Sequence, residues 1–380
     1  MLDNKQSLRS FLEQKTLFYT KIEYETIKKS WEMLSSCIRL PYVIHIVGTN
    51  GKGTTGRFIA SCLMQSNKKV LHYTSPHIIN FNERIWINGA NANDEILENA
   101  HQKLLMILSP QLLTKLTYFE YTTLLAIYLS NDFDFIVLEA GLGGEFDATN
   151  VVPNNLTVVP SIGLDHQDFL GDTIEKIAIT KLRSCDNSYI LGSNIHPDVI
   201  ELKKSILKDK KEIKFNKQLQ FKSKQELPQY IISNAKLALS VIDYLGLYKN
   251  DFILEPLEGR CQKITNNITI DVGHNPLAAK VILEEFKNQK IILIYNSYKD
   301  KDFNEILNIL KPIIDKLLII QCDDPRIIDV DILLNTAKKM SIDTDIFNIN
   351  MLKNDSRYLV FGSFKVVETF IKNTNILSNL

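Results

Sequence analysis

The sequence predicts an α/β fold in two domains, each on a mostly parallel sheet, the first larger and the second Rossmann-like. Three observations predict it. Short apolar runs alternate with stretches of helical periodicity along most of the 380 residues. One of the first of these runs, 42–47, leads into the glycine-rich stretch His45-Ile-Val-Gly-Thr-Asn-Gly-Lys-Gly-Thr-Thr-Gly-Arg57, and a helix-compatible run, 54–65, leaves it. The alternation breaks at 249–257, where charge, Pro256 and Gly259 intervene, and then restarts without a second glycine loop. The expected division is therefore 1–252 and 253–380.

In chain order, residues 1–40 carry Leu8, Phe11, Leu12, Ile27, Trp31 and Leu34 at roughly helical spacing and are expected to cover the first core strand. A second strand is expected at 69–74. Pro76 and the density of Asn, Ser and His make 74–84 an ordered loop. Asp94 is placed as the cap of a helix running to about residue 109, and 118–129 is a second amphipathic stretch. The run 133–140 is short and apolar, as a fully buried parallel strand reads, and it ends at Glu139 before Gly141-Leu-Gly-Gly144. The run 156–162 repeats the idea, ending at Gly163-Leu-Asp-His166.

A helix is expected at 173–184 and a strand at 189–191. The lysine-rich segment 201–224 reads as a solvated helix plus loop. Helical periodicity returns at 229–245, with Gly246 as its C-cap. In the second domain strands are expected at 268–271, 291–295, 317–321 and 358–361. Helices are expected at 276–287, 303–310 and 332–339, with a last one through Lys372.

Composition narrows the function classes. Apolar content of 45% and charged content of 23% are those of a soluble globular protein. Forty-four basic and 44 acidic side chains cancel, so no global field favours nucleic acid or an anionic membrane. The start, Met1-Leu-Asp-Asn-Lys-Gln6, lacks an apolar segment of the secretory type, and no apolar run approaches the ~20 residues of a membrane span. Five scattered cysteines without a C-x-x-C pair indicate neither a disulfide framework nor a zinc site. A cytoplasmic protein is expected. Nothing reads as a dimer seam, so a monomer is expected too.

The chemistry starts at the glycine loop. Glycines let successive backbone N–H groups turn toward one anion, a lysine offsets terminal phosphate charge, and a hydroxyl at the helix start can hold Mg²⁺. The layout reads as a P-loop, with an ordinary glycine-rich strand-to-helix turn as the alternative; Gly48 is the first glycine and Gly53 separates Lys52 from Thr54, so the common G-x-x-x-x-G-K-[ST] spacing is displaced. Glu139 and His166 each follow an apolar strand, as the loop does, and strand ends of a doubly wound sheet share one crevice. A carboxylate suits Mg²⁺, whereas histidine is an unusual ligand for it. Taken singly each residue reads as a structural strand-end group; their joint placement points to a site. Asp271, in Asp271-Val-Gly-His-Asn-Pro276, either faces the nucleotide or caps the helix beginning at Pro276.

Several segments in order resemble the Mur ligase superfamily and, within it, the dihydrofolate synthase/folylpolyglutamate synthase family. They are His45 to Thr55, Thr74-Ser-Pro-His77 with Asn82-Glu-Arg-Ile85, Thr117-Tyr-Phe-Glu120, and Glu139 to Gly144 with Asp147-Ala-Thr-Asn150. Ser161-Ile-Gly-Leu-Asp-His166 with Leu170-Gly171, Gly259-Arg260, Asp271 to Pro276 and Lys299-Asp-Lys-Asp302 follow, with a looser echo at Phe361-Gly-Ser-Phe364. The Mur-type loop also accounts for the displaced Thr54. The resemblance implies a P-loop ATPase domain of the Mur-ligase type and a smaller Rossmann-like C-terminal ligase domain.

The resemblance also implies roles. Thr49, Asn50, Gly51, Lys52, Gly53 and Thr54 would wrap the ATP phosphates. Ser75, Glu139 and His166 would hold Mg²⁺, and Lys181 stands where the family carries a lysine carbamate, made from CO₂, that supports a second ion. Asn234, Arg260, Asp271 and His274 would contact ATP. Thr117, Tyr118, Phe119, Glu120, Phe146, Asp147 and Ala148 would line a pteroate site, with Phe119 stacking and Asp147 bonding the ring nitrogens. Lys52, His166 and Lys181 would be the catalytic group. The chain departs from the family at Glu145, where arginine is usual, at Thr180, where glutamate is usual, and at Leu182-Arg183, where Ala-Gly is usual. The alternative for Lys181 is an exposed helix lysine.

The implied activity is ATP-dependent ligation of L-glutamate to dihydropteroate and to reduced folates through an acyl phosphate, completed by domain closure. Two other readings stand beside it. A ligase acting on a UDP-linked peptidoglycan precursor needs an N-terminal UDP domain, and only about 40 residues precede the first strand. A nucleotide-binding homologue without catalysis would fit Glu145 and Thr180 but not the retained phosphate and metal residues.

Overall fold

A computed structural model gives the fold and describes residues 6–17, 24–193 and 195–374. The chain forms two compact units. The first runs up to Gly163 and adds Leu170–Glu226 and Ile231–Glu255; the second comprises Leu164–Phe169, Leu227–Tyr230 and the chain from Pro256 onward.

The first unit is built on an eight-stranded sheet: β1 Tyr42–Ile46, β2 Val70–Tyr73, β3 Ile85–Ile87, β4 Ala90–Asn91, β5 Phe135–Glu139, β6 Leu156–Val159, β7 Ser188–Leu191 and β8 Lys211–Ile213. Their order is β4-β3-β2-β5-β1-β6-β7-β8. Pairing is parallel from β2 through β8, and only β3 with β2 and β4 with β3 are antiparallel. Central β1 lies between β5 and β6, with Ile46 in register with both Glu139 and Val158. Its aliphatic residues Val43, Ile44 and Ile46 are buried, as a strand covered on both faces requires. The helix Tyr118–Leu129 presents Tyr121, Leu124 and Leu125 to one core cluster, and Ile177, Ala178 and Leu182 enter a second.

The second unit carries β9 Gln262–Lys263, β10 Ile268–Asp271, β11 Ile291–Tyr295, β12 Ile314–Ile319, β13 Thr344–Ile346 and β14 Tyr358–Phe361, ordered β13-β12-β11-β14-β10-β9. Only β9 is antiparallel to its neighbour. Its core packs Ile282 and Leu307 against Leu293, Leu317 and Phe361 of the sheet. Two mostly parallel α/β sheets are what the alternating pattern predicts.

Local expectations differ in instructive places. The first-loop helix starts at Lys52 rather than Thr54, because Gly51 at φ 81° already turns the chain into it. Asn93, not Asp94, caps the helix Asp94–Ile107, its side chain accepting from Ile96 N at 2.9 Å. Within 201–224 the chain forms an edge strand, β8, where only Ile213 is buried, so two charged neighbours hid it from a periodicity argument. The two-residue β9 and three-residue β13 were too short to show. The C-cap at Gly246 is as expected, at φ 71° with Leu247 N donating to Ile242 O at 3.0 Å. No helix among the described residues is long and apolar enough to cross a membrane.

Candidate active site

In the first unit the glycine loop leaves β1 and is fixed at both edges. Thr49 N donates to Ser161 O at 2.8 Å and Asn50 N to Ser161 Oγ at 3.0 Å. The Thr49 hydroxyl donates to Gly163 O and accepts from Gly163 N, both at 3.0 Å. The end of β6 thus buttresses the loop that follows β1. Ser161 carries this role, and the sequence pattern marked it only as part of a motif. Lys52 Nζ folds back onto Gly48 O at 3.1 Å and Thr49 O at 3.2 Å.

Lys181 converges on the same carbonyl from the helix Ile174–Leu182, with Nζ donating to Gly48 O at 2.9 Å. It is 4% exposed, so the surface-lysine alternative does not hold. Two amine nitrogens meeting at one loop carbonyl, beside a helix N-terminus, give this point the electrostatics of an anion site. Thr54 is buried in the first turn of the Lys52–Gln65 helix together with Gly53.

Asn234, on the helix Gln229–Tyr244, stands against Gly51: a Cβ there would lie 2.9 Å from Asn234 Oδ1. Gly51 is also left-handed, so Gly51→Ala meets both strain and a side-chain clash. It should cost about 1–2 kcal/mol of stability in the first unit, read as earlier unfolding in urea, and should displace the loop from Asn234.

Glu139 ends β5 one register step from the loop and is 5% exposed. Its Oε2 accepts from the Thr74 hydroxyl and from Ser75 N, the latter at 3.1 Å, so the end of β2 orients it. The structure therefore brings Ser75 and Glu139 together, and Thr74 is a positioning partner the sequence reading left without a role. Among the described residues no group of three or more His, Cys, Asp or Glu side chains gathers as a metal site. One carboxylate and a hydroxyl fit Mg²⁺, which takes few protein ligands and keeps waters and phosphate oxygens.

Of the residues assigned to the pteroate, Thr117 and Glu120 form a capping box on the helix Tyr118–Leu129, with Thr117 N donating to Glu120 Oε2 at 2.8 Å. Phe119 packs near Tyr73, ring centroids 5.8 Å apart, and against Gly141, where a Cβ would sit 2.7 Å from its ring. Tyr118 lies under the Arg84 guanidinium at 5.1 Å. Phe146 is 54% exposed and meets Tyr24 in a T-shaped pair, ring centroids 6.1 Å apart, while Asp147 and Ala148 are buried. Burial raises the Asp147 pKa despite hydrogen bonds from Leu142 and Thr149.

The second unit holds the remaining candidates. Asp271 ends β10, with Oδ2 accepting from Tyr230 Oη at 2.9 Å and Cys261 N at 2.8 Å, and Oδ1 from Gly273 N at 2.7 Å. The helix Pro276–Glu285 is capped instead by Asn275, whose side chain accepts from Ala278 N at 2.9 Å. That resolves the alternative of Asp271 as its cap. Burial raises the Asp271 pKa against the opposing pull of Arg260. The Arg260 guanidinium lies 5.0 Å from the Phe364 ring.

His166 sits at φ 50° on the Leu164–Phe169 segment, next to Asp165. Asp165 accepts from Lys301 Nζ at 2.7 Å and Asn275 Nδ2 at 2.9 Å, with His274 Nε2 at 3.8 Å. Asp165, Asn275 and Lys301 had no assigned role. Their spacing in sequence spans more than 100 residues, so no local pattern exposes the cluster.

Comparisons with known proteins bear on this arrangement. No family model matches the chain. The dihydrofolate synthase/folylpolyglutamate synthase of Haemophilus influenzae is 31% identical over 95% of this chain and 95% of its own length. The crystal structure of Helicobacter pylori folylpolyglutamate synthetase is 36% identical, covers 99% of this chain and 100% of its own, and superposes with a TM-score of 0.76. Escherichia coli FolC, solved in complex with DHPP and ADP, is 26% identical, covers 98% of this chain and 99% of its own, and gives a TM-score of 0.83.

Proposed function

The chain belongs to the dihydrofolate synthase/folylpolyglutamate synthase family, and on that premise we propose that it is an ATP-dependent carboxylate–amine ligase. It joins L-glutamate to dihydropteroate and to reduced folates. The observation that carries the proposal is the Lys52 amine folded over the Gly48 and Thr49 carbonyls, on a loop whose Gly51 starts a helix.

In this reading residues 1–252 are the ATP domain and 253–380 the second ligase domain. A carboxylate oxygen of the pteroate attacks the γ-phosphorus, the bond to the β-phosphate oxygen breaks, and ADP leaves. The α-amine of glutamate then adds to the acyl carbon, the C–O bond to phosphate breaks, and the amine proton passes to solvent or departing phosphate. Thr49 to Thr54 hold the phosphates, and Lys52 offsets charge on the transferring group.

Ser75, Glu139 and His166 are proposed as Mg²⁺ ligands. Lys181, as a carbamate, is proposed to support a second ion. When bound, the metal supplies charge to the phosphate oxygens. Glu139 is held ready by Thr74 and Ser75 N, and a carboxylate with a neighbouring hydroxyl suits this ion. Asn234, Arg260, Asp271 and His274 are proposed to contact ATP. Thr117, Tyr118, Phe119, Glu120, Phe146, Asp147 and Ala148 are proposed to line the pteroate site, where the Phe119 ring suits stacking on a pterin. A cytoplasmic monomer working on small molecules completes the proposal.

Purified protein assayed with ATP, Mg²⁺ and glutamate against dihydropteroate, tetrahydrofolate and a UDP-peptide in parallel tests this. ADP release should require both glutamate and a pteroate, and each product should gain one glutamate residue in mass. Removing Mg²⁺ with EDTA should stop release, and adding it back should restore it. Turnover with the UDP-peptide alone, or ADP release indifferent to the pteroate, would overturn the proposal.

A further inference from the structure

His45 opens the glycine motif, yet it points away from any phosphate role. It is fully buried in β1, and its Nε2 lies 2.8 Å from the Thr149 hydroxyl. That hydroxyl lies 2.5 Å from Asp147 Oδ1, and Thr149 N reaches the same oxygen at 2.9 Å. Asp147 Oδ2 accepts from Leu142 N at 2.7 Å. Thr149 is 1% and Asp147 5% exposed, so these are hydrogen bonds of a dry interior, where geometry is held tightly.

The direction of the chain follows from the donors available. A carboxylate only accepts, so the Thr149 proton points to Asp147 and its oxygen accepts from His45. His45 is then the Nε2–H tautomer with Nδ1 bare, which agrees with Nδ1 being buried without a hydrogen-bond partner. Burial lowers the His45 pKa to about 3, so the ring stays neutral and the direction does not change near neutral pH.

We propose that Thr149 and His45 are positioning residues that hold the Asp147 carboxylate in the orientation in which it receives the ring N–H groups of the pterin. Leu142 N and Thr149 fix the carboxylate plane from two sides. His45 fixes the Thr149 rotamer, so the substrate site reaches inward to the strand that also launches the phosphate loop. The inference rests on the proposed pterin contact of Asp147.

The full chain is tested by measuring dihydropteroate binding by calorimetry, with KM for dihydropteroate and for ATP measured separately. Thr149→Val should weaken dihydropteroate binding about tenfold, the size of one lost hydrogen bond to a charged group, with KM for ATP within about twofold. Thr149→Ser should restore binding, since it returns the hydroxyl. His45→Leu, a smaller perturbation that leaves the Thr149–Asp147 bond in place, should weaken binding by about threefold, and it carries the test should Thr149→Val not fold. Wild-type affinity in His45→Leu and Thr149→Val, or a loss that Thr149→Ser does not recover, overturns the inference. Asp147→Asn separates the two levels. If it leaves dihydropteroate binding intact, the pterin role of Asp147 falls; if it weakens binding while Thr149→Val does not, only the positioning inference falls.

Discussion

Lys52→Ala is expected to all but abolish ADP release, lowering kcat/KM by about 10³-fold, roughly 4 kcal/mol of lost transition-state stabilisation. Removing a point charge beside a transferring phosphoryl group is among the largest single-residue effects such a site offers, because no covalent group shares the work. The fold should survive. Lys52 Nζ is only half-buried in its surroundings and spends its hydrogen bonds on two carbonyls of its own loop, Gly48 and Thr49. Those carbonyls can take water, and Lys181 still donates to Gly48. Coupled-enzyme detection of ADP, with circular dichroism as the folding control, decides the matter. Turnover near wild type would sink the assignment of the loop.

Lys301→Met should destabilise the second unit by about 3 kcal/mol, the cost of leaving a buried carboxylate without its ammonium. The Asp165 and Lys301 side chains are 8% and 6% exposed and meet at 2.7 Å. Asn275 Nδ2 and the backbone N–H of His166, at 2.9 Å each, would not replace the lost charge. Replacing both partners, Asp165→Asn with Lys301→Met, should recover most of the loss, since the desolvation cost disappears with the charges. Two units need not unfold in one step, so hydrogen exchange of β10 and β11 amides is the measurement, not a single midpoint. Equal exchange in wild type and Lys301→Met would show the pair to be inert.

The same cluster sets an acid limit. Burial alone would raise the Asp165 pKa, but His274, His166 and Lys301 outweigh it and hold the carboxyl well below the usual range. The unfolded chain therefore binds this proton first, near pH 4. The stabilisation is full above that pH and drains away as the pH falls below it. Lys301→Met should accordingly lose less of its remaining stability than wild type between pH 6 and pH 3.

Much of this was legible in the residues. Runs such as Phe135–Glu139 and Leu156–Val159 declare buried parallel strands because both faces must be apolar, and the turn after each is where a doubly wound sheet keeps its ligand groups. Gly51 and Lys52 mark the loop as a candidate anion site because few residues can do that work. Short edge strands escaped for the opposite reason: β8 buries one residue of three, so it leaves almost no hydrophobic signature.

The sequence by itself determined the two α/β sheets, the glycine loop between β1 and its helix, and the resemblance from which a glutamate ligase is proposed, since periodicity and motif chemistry are local properties of the chain. Tertiary structure alone decided what each polar group does. Lys181 is buried against the loop carbonyl of Gly48, 133 residues away, and not on a solvated helix face. Asn275 caps the helix after β10, which leaves Asp271 to its contacts with Tyr230 and Cys261. His45 spends its imidazole on Thr149, 104 residues on. A buried polar atom must find a partner wherever the fold brings one, and that partner has no fixed distance in sequence.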